Sequence, residues 1–460
     1  MNTYLSRRQA LGAVAALAGY AAAADAGRFH LARFSADVTP PLGHPLLAGA
    51  TITPPARRID DRLQAIGFVL LTPAKPIVVA SVDWCEIRND AYDQWRQVLG
   101  EAAGTSADRV LVTSIHQHDA PLPDLEAQRI LEAHKATGKI FDLDFHERAV
   151  QGVARAVREA LKAPAPVSHL GLGQARIDKI ASNRRYLGPD GKPRHDRGSA
   201  SGGDPYKAQQ PDGTIDPWLK TLSFWNGDQA LCALSSYAVH PMSYWGTGWV
   251  TSDFPGLARR MRQAEDPKVL QIYASGASGN VTAGKYNDGN HANRDVLTRR
   301  LHQALAETWR ATRRVPLESV HFRAAPLRLE PRESPGFTVA DLQKNLSHPD
   351  PRKQCLAAMG LSWRKRADRG HVLDVPCIDF GPAQVVLVPG ESYVEFQLLA
   401  QKLRPDSFVM VLGYGECAPG YIPIERAWEE NDGNLRDWCW VAPGAEKAMT
   451  QALRTVLQPR

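Results

Sequence analysis

The run Val110-Leu111-Val112-Thr113-Ser114-Ile115-His116-Gln117-His118-Asp119-Ala120-Pro121 passes from strand-type residues into two histidines and a carboxylate. A short apolar, β-branched run that gives way to turn residues reads as a buried strand, with a loop at its carboxyl end. Histidines at i and i+2 of an extended segment point to opposite sides, so a regular strand could not aim both at one ion. A loop could, or one histidine could bind metal while the other faces a substrate. Imidazole is a common zinc ligand, and a catalytic zinc takes three protein ligands and keeps one position for water. A pair of hydrogen-bonded loop histidines is the plainer reading, and the rest of the chain has to decide between them.

Outward from this run, strand-like stretches at 65–72, 77–83, 109–114, 219–225, 231–240, 269–274, 383–389 and 407–413 alternate with helical patterns. Ala149, Val150, Val153, Val157 and Leu161 share one helix face in 146–162, as do Val296, Leu297, Leu301, Leu305 and Trp309 in 292–310. A third helix is expected over 391–403. Residues 187–213 carry no apolar period and read as a long loop, a kind usually functional or mobile. The stretch 331–368 reads as irregular, with one short helix near 338–346. With no internal repeat and no clean linker, the expectation is a single large α/β domain over 27–460. It has mixed β-sheets flanked by helices and an active site at the carboxyl ends of strands.

Other strand ends repeat the theme. The run 231–239 ends in His240-Pro241, and 383–388 ends in Pro389-Gly390-Glu391. The run 407–412 ends in Gly413-Tyr414-Gly415-Glu416, followed by Gly420-Tyr421. In open α/β sheets the functional crevice lies beyond the carboxyl ends of the strands. Singly each residue has a bland account: a histidine after a strand is usually a satisfied loop residue, and Glu391 could serve only as an acid at a helix N-terminus. Together they point to a shared metal site.

The amino terminus indicates a compartment. Ser6-Arg7-Arg8-Gln9-Ala10-Leu11, an Ala-rich apolar stretch and Ala24-Asp25-Ala26 describe a twin-arginine (Tat) signal peptide over 1–26, read by the Tat export machinery. The working place expected is the periplasm or the exterior. Composition is that of an ordinary globular protein, 43% hydrophobic and 23% charged, and no later apolar run is long enough for a transmembrane segment. Loss of Arg7, Arg8 and Asp25 takes the net charge from +6 to +5, too weak over this length to indicate nucleic acid as a partner. Six cysteines (85, 232, 355, 377, 417 and 439) include no Cys-x-x-Cys pair, so a thiolate zinc site is not expected. Export permits disulfides; Cys355–Cys377 and Cys417–Cys439 are the working guesses, with Cys85 and Cys232 as buried thiols.

These residues carry a resemblance. Ala36-Asp37-Val38-Thr39-Pro40-Pro41, Asp61-Arg62-Leu63-Gln64-Ala65, Ser81-Val82-Asp83, the His116–Pro121 run, Asn183-Arg184, Ala238-Val239-His240, Ser252-Asp253, Gly279-Asn280-Val281-Thr282, Pro389-Gly390-Glu391 and Gly420-Tyr421 occur in this order. The chain thereby resembles the catalytic region of the neutral ceramidase family. The resemblance implies one zinc ion (Zn2+) and hydrolysis of an amide. It matches His116, His240 and Glu391 to ligands and Tyr421 to a tyrosine ligand, with Tyr414 as the other tyrosine in reach. His118 matches a histidine that faces the substrate, and Arg184 an arginine that binds the polarised carbonyl. On that basis the expected reaction uses zinc-activated water, with His118 as proton shuttle. Asp119 or Asp253 is expected to orient a ligating histidine. Asp37, Asp61 and Asp83 are read as structural.

The departures bear on substrate and nucleophile. The position of the family's serine falls on Gly276 or Ala277, flanked by Ser275 and Ser278. The chain also stops at Arg460, short of the family's C-terminal domain, and no long apolar segment suggests a lid over two lipid tails. Ceramide specificity is therefore not expected; a small-molecule, glycan or lipid amide fits as well. Three alternatives stand beside this reading. Gly276-Ala277-Ser278-Gly279-Asn280 comes near the Gly-x-Ser-x-Gly elbow of a serine hydrolase using Ser278, although its last glycine is missing. A carbohydrate-active lyase or hydrolase could use the same metal-binding scaffold. A periplasmic protein that only binds a metal or glycan is the third.

Overall fold

Along Gln64–Leu71, Ile66, Phe68 and Leu70 enter one apolar core while Ala65, Val69 and Leu71 enter another. A strand buried on both faces belongs to the middle of a layered α/β structure. The structure is a computed structural model that describes residues 28–47 and 54–459. The twin-arginine segment lies outside the described residues.

Three mixed sheets form the frame. The first runs Val110–Ser114, Ile77–Val82, Gln64–Leu71, Phe29–Asp37 and Ala165–Val167; the second runs Leu270–Ser275, Gln229–Tyr237, Trp218–Asn226, His169–Arg176 and Arg313–Pro316. The third runs His321–Leu327, Leu373–Asp379, Ala383–Leu387 and Phe408–Leu412. One face of each sheet meets in a common apolar core, where Phe68, Phe224, Ile272, Val385 and Met410 are buried together. Helices cover the outer faces, for example Asp253–Glu265 and Ala292–Arg310 over the second sheet, with Phe254, Leu297 and Leu301 buried beneath them.

Each sheet contains one parallel pair: Ile77–Val82 with Val110–Ser114, Gln229–Tyr237 with Leu270–Ser275, and Ala383–Leu387 with Phe408–Leu412. A parallel pair needs a long crossover, usually a helix. The helices Asn89–Ala103, Asp253–Glu265 and Val394–Leu403 supply the crossovers in turn. The molecule is thus built around three βαβ units whose carboxyl ends meet.

Several expectations are corrected. The stretch 331–368 is mostly helical, with Val339–Asn345 followed by the 18-residue helix Pro351–Asp368. Its start was legible, since Asp350 caps the Arg352 N–H and Pro351 occupies the first turn. Its apolar period was not, because Gln354, Gly360 and Ser362 share the buried side with Cys355, Met359 and Trp363. The loop 187–213 contains short ordered pieces, including the helix Pro205–Gln209. It is held by the fully buried Arg197, which donates to the carbonyls of Asn183 (2.8 Å), Pro211 (2.9 Å) and Asp212 (3.2 Å). The helix expected from 391 begins at Val394. Neither guessed disulfide forms: all six cysteines are buried free thiols. Cys417 Sγ instead donates to the Gly415 carbonyl at 3.2 Å. Among the described residues no helix is long and apolar enough to cross a membrane.

Candidate metal centre

The meeting strand ends are stitched together through backbone groups. Ser114 N–H donates to the Tyr414 carbonyl (3.0 Å), Gly413 N–H to Ser275 (2.8 Å) and Gly279 N–H to Ser392 (2.9 Å). The Ser275 hydroxyl donates to the Ile115 carbonyl at 2.7 Å, and the Thr113 hydroxyl to Gly413 at 2.7 Å. His116 follows its strand with φ of 71°, a conformation uncommon for residues other than glycine. That turn breaks the strand geometry which would have sent His116 and His118 to opposite sides, and their ring centroids lie 5.3 Å apart.

His116 and His240 both donate Nδ1–H to a backbone carbonyl, of Cys85 at 2.9 Å and Ser278 at 2.7 Å. In the neutral form each ring therefore carries its lone pair on Nε2, and the two Nε2 atoms face each other at 3.2 Å. Glu391 Oε2 lies 2.9 Å from His240 Nε2 and 3.3 Å from His116 Nε2. All three side chains are buried. Two imidazole lone pairs and a carboxylate oxygen at these separations form one face of a donor polyhedron for an ion with bonds of about 2.0–2.2 Å. The donor set fits zinc. Burial opposes the charged form of His116, but the Glu391 carboxylate outweighs it and holds the His116 pKa above its ordinary value. Burial and then the Arg184 guanidinium push His240 down to about 4, so it stays neutral. Burial likewise works against the Glu391 carboxylate, yet the two histidines hold its pKa well below the usual range.

Glu391 reaches this place on a two-residue strand, Glu391–Ser392, paired in parallel with Tyr421–Ile422 so that Glu391 lies opposite Tyr421. The Tyr421 hydroxyl accepts from Arg184 Nη1 at 3.0 Å and lies on the Glu391 side. Tyr414 lies on the other side of the histidines. Its ring stacks on His116 at 4.2 Å, and its hydroxyl meets Ser278 Oγ at 2.8 Å and His240 Nδ1 at 3.3 Å. Tyr421 thus lies beside Glu391 and Arg184, and Tyr414 lies behind the rings against the Nδ1 side of His240. Arg184 points into the site: Nη2 is 3.2 Å from His240 Nε2, Nη1 also donates to Asn434 Oδ1, and its buried Nε has no partner.

His118 is half-buried beside the donor set, with Nδ1 unpartnered and its ring 5.2 Å from that of Trp245. Burial, then the charges of His116 and His240, hold its pKa well below the ordinary value, leaving a neutral base. Asp119 and Asp253 do not orient a histidine. The Asp119 carboxylate accepts from the Thr247 hydroxyl (2.7 Å) and the Thr247 and Gly248 N–H groups (3.2 Å), while Asp253 accepts from Ser243 and Phe254 N–H. Backbone carbonyls take the histidine protons instead, so neither expected aspartate holds a ring. Nor does Ser278 sit on a nucleophile elbow. Its strand is followed by the short strand Val281–Thr282 rather than a helix, and its hydroxyl meets a tyrosine.

Sequence reasoning missed Glu86, fully buried with Oε1 3.9 Å from His116 Nδ1 and held by Arg88 at 2.7 Å. The same strand-end rule would have found it, since it follows Ile77–Val82 by four residues. Trp245 was missed as well, because nothing local marks it.

No family model matches the chain, and no curated protein matches it by sequence. Solved structures do match in fold. The crystal structure of neutral ceramidase from Pseudomonas aeruginosa aligns with a TM-score of 0.68 at 18% identity, covering 94% of this chain and 74% of that one. A ceramidase complexed with C2 aligns equally, with 75% of that chain covered. The chain has the neutral ceramidase fold.

Proposed function

We propose that this protein is a zinc-dependent hydrolase of an amide, N-acyl bond, working in the periplasm or outside the cell after twin-arginine export. The observation that carries the reading is the convergence of His116 Nε2, His240 Nε2 and Glu391 Oε2 at 2.9–3.3 Å, both imidazoles being oriented by backbone carbonyls. His116, His240 and Glu391, with the Tyr421 hydroxyl beside them, would hold the ion. A zinc ion there supplies Lewis acidity and makes a water-derived nucleophile available near neutral pH. Arg184 offers buried N–H donors for the oxygen of the scissile carbonyl. His118, beside the donor set with its Nδ1 unpartnered, would be the group that moves a proton between water and the leaving amine. The amide class is supported by the fold neighbours, which are named as ceramidases and so act on an amide; ceramide itself is not part of the proposal.

Metal analysis together with a panel of N-acyl substrates, including amino sugars, amino acids and fatty amides, tests the reading. The expected result is about one zinc per chain. A chelator should abolish hydrolysis and added zinc should restore it. Hydrolysis that survives complete removal of the metal would overturn it.

A further inference from the structure

Five residues beyond His240 the chain exposes an indole. Trp245 is 36% exposed, while the backbone on both sides of it is tied down. Asn287 donates to the Ser243 carbonyl at 2.6 Å, and Arg294 donates to the Ser243 hydroxyl at 2.9 Å and the Tyr244 carbonyl at 3.1 Å. On the far side the buried Asp119 carboxylate receives Thr247 and Gly248. Gly248 has φ of 72°, and a Cβ there would come 2.8 Å from the Pro55 carbonyl, so the turn is closely fitted. The two arms of the candidate centre therefore meet at Trp245: it follows His240 on one, and Asp119, next to His118, clamps it from the other. Among the described residues the other large exposed apolar side chains are Leu42, Ile59, Leu187, Tyr206, Trp218 and Met261. Of the aromatic ones, Tyr206 packs on Tyr186, whereas the Trp245 ring lies against His118.

A rigid loop holding an exposed indole beside a reacting centre is organised to receive a flat face, since a buried aromatic contact needs little further ordering. We infer that Trp245 is the substrate platform of this site and selects amides bearing a ring, a pyranose or an aromatic group, next to the scissile bond over amides bearing only a flexible chain. The surroundings agree. His118, against the indole, and Arg184, which donates to Asn434, add polar groups at the centre, which suits a ring with polar substituents better than an acyl tail.

The inference rests on the hydrolase reading for the word substrate, so binding and turnover are measured separately. Zinc-loaded wild type, Trp245→Ala and Trp245→Phe are titrated calorimetrically with N-acetylglucosamine, N-acetyltyrosine amide and N-octanoylglycine. At least one ring probe should bind wild type, weaken about tenfold in Trp245→Ala and stay within about threefold in Trp245→Phe. N-octanoylglycine should change by less than about twofold, with metal content unaltered. Which ring probe responds separates sugar from aromatic. If neither ring probe binds wild type, or if Trp245→Ala leaves ring binding intact or weakens the chain probe equally, the platform is wrong. A protein that binds rings through Trp245 yet cleaves no amide would instead sink the hydrolase reading alone.

Discussion

His116 holds φ of 71° although it is not glycine, a strain of about 1–3 kcal/mol that the surrounding hydrogen bonds sustain. That turn lets one histidine enter the donor set while its neighbour two residues on lies beside it. Substitutions should separate the two. His240→Ala is expected to lose metal and turnover together, whereas His118→Ala should keep its zinc and slow by about 10²–10⁴. Metal analysis beside steady-state kinetics reads both, and an empty site in His118→Ala would reverse the assignment. Ser278→Ala should cost less than about tenfold, since an activated serine nucleophile would cost several orders of magnitude. A fluorophosphonate adduct on Ser278 would contradict this. The strand-end histidines and Glu391 were legible because ligand-type residues recur at strand ends. Asp119 was misread because adjacency in sequence to His118 says nothing about which way its carboxylate turns.

At the scale of elements, the pairing Glu391–Ser392 with Tyr421–Ile422 does the positioning. It is framed by Gly390 and Gly420, both at positive φ, and a Cβ on Gly420 would fall 2.1 Å from the Trp438 carbonyl. Gly420→Ala should therefore destabilise the fold by about 2 kcal/mol or more and lower zinc occupancy, as denaturant titration and metal analysis would show. If occupancy is unchanged at equal destabilisation, the ladder does not position Glu391. Sequence patterning reads Glu391 as the start of a helix because an acid before an apolar, helix-forming run has that signature. A two-residue strand is too short to leave any period. The helix Pro351–Asp368 escaped for the opposite reason: it has length, but polar residues occupy part of its buried side.

For the whole molecule, buried charge joins the layers. Asp83, at the end of Ile77–Val82, accepts from Arg259 of the helix Asp253–Glu265 at 2.6 and 2.8 Å, both side chains being almost fully buried. Asp83→Asn leaves the guanidinium uncompensated and should cost about 3–5 kcal/mol in chemical denaturation. A loss under about 1 kcal/mol would mean that the pair carries no such role. Two buried histidines outside the candidate metal centre bear on stability in acid. Burial pushes His44 to about 4 and His146 to about 3, below the ordinary 6.5. The unfolded chain therefore binds more protons, so their contribution is complete above pH 6.5 and declines as pH falls from there toward 3. Unfolding free energy measured against pH should show this slope, and His146→Gln should flatten it; an unchanged slope would remove His146 from the account.

The α/β class, the strand-end location of the site and a set of ligand-type residues there follow from local patterning alone; which histidine of the His116–His118 pair joins His240 came from the family resemblance. Apolar periods and strand-terminal residues are properties of short stretches, and short stretches are what a sequence displays. Convergence is not. Which carboxylate meets which imidazole, which tyrosine faces the donors, that Asp119 clamps the Trp245 loop and that the cysteines stay unpaired were decided by three βαβ units packing on a common core. The contacts of His116 with His240, of His240 with Glu391 and of Asp119 with Thr247 join residues more than a hundred positions apart, and their geometry depends on the packing of the layers between them.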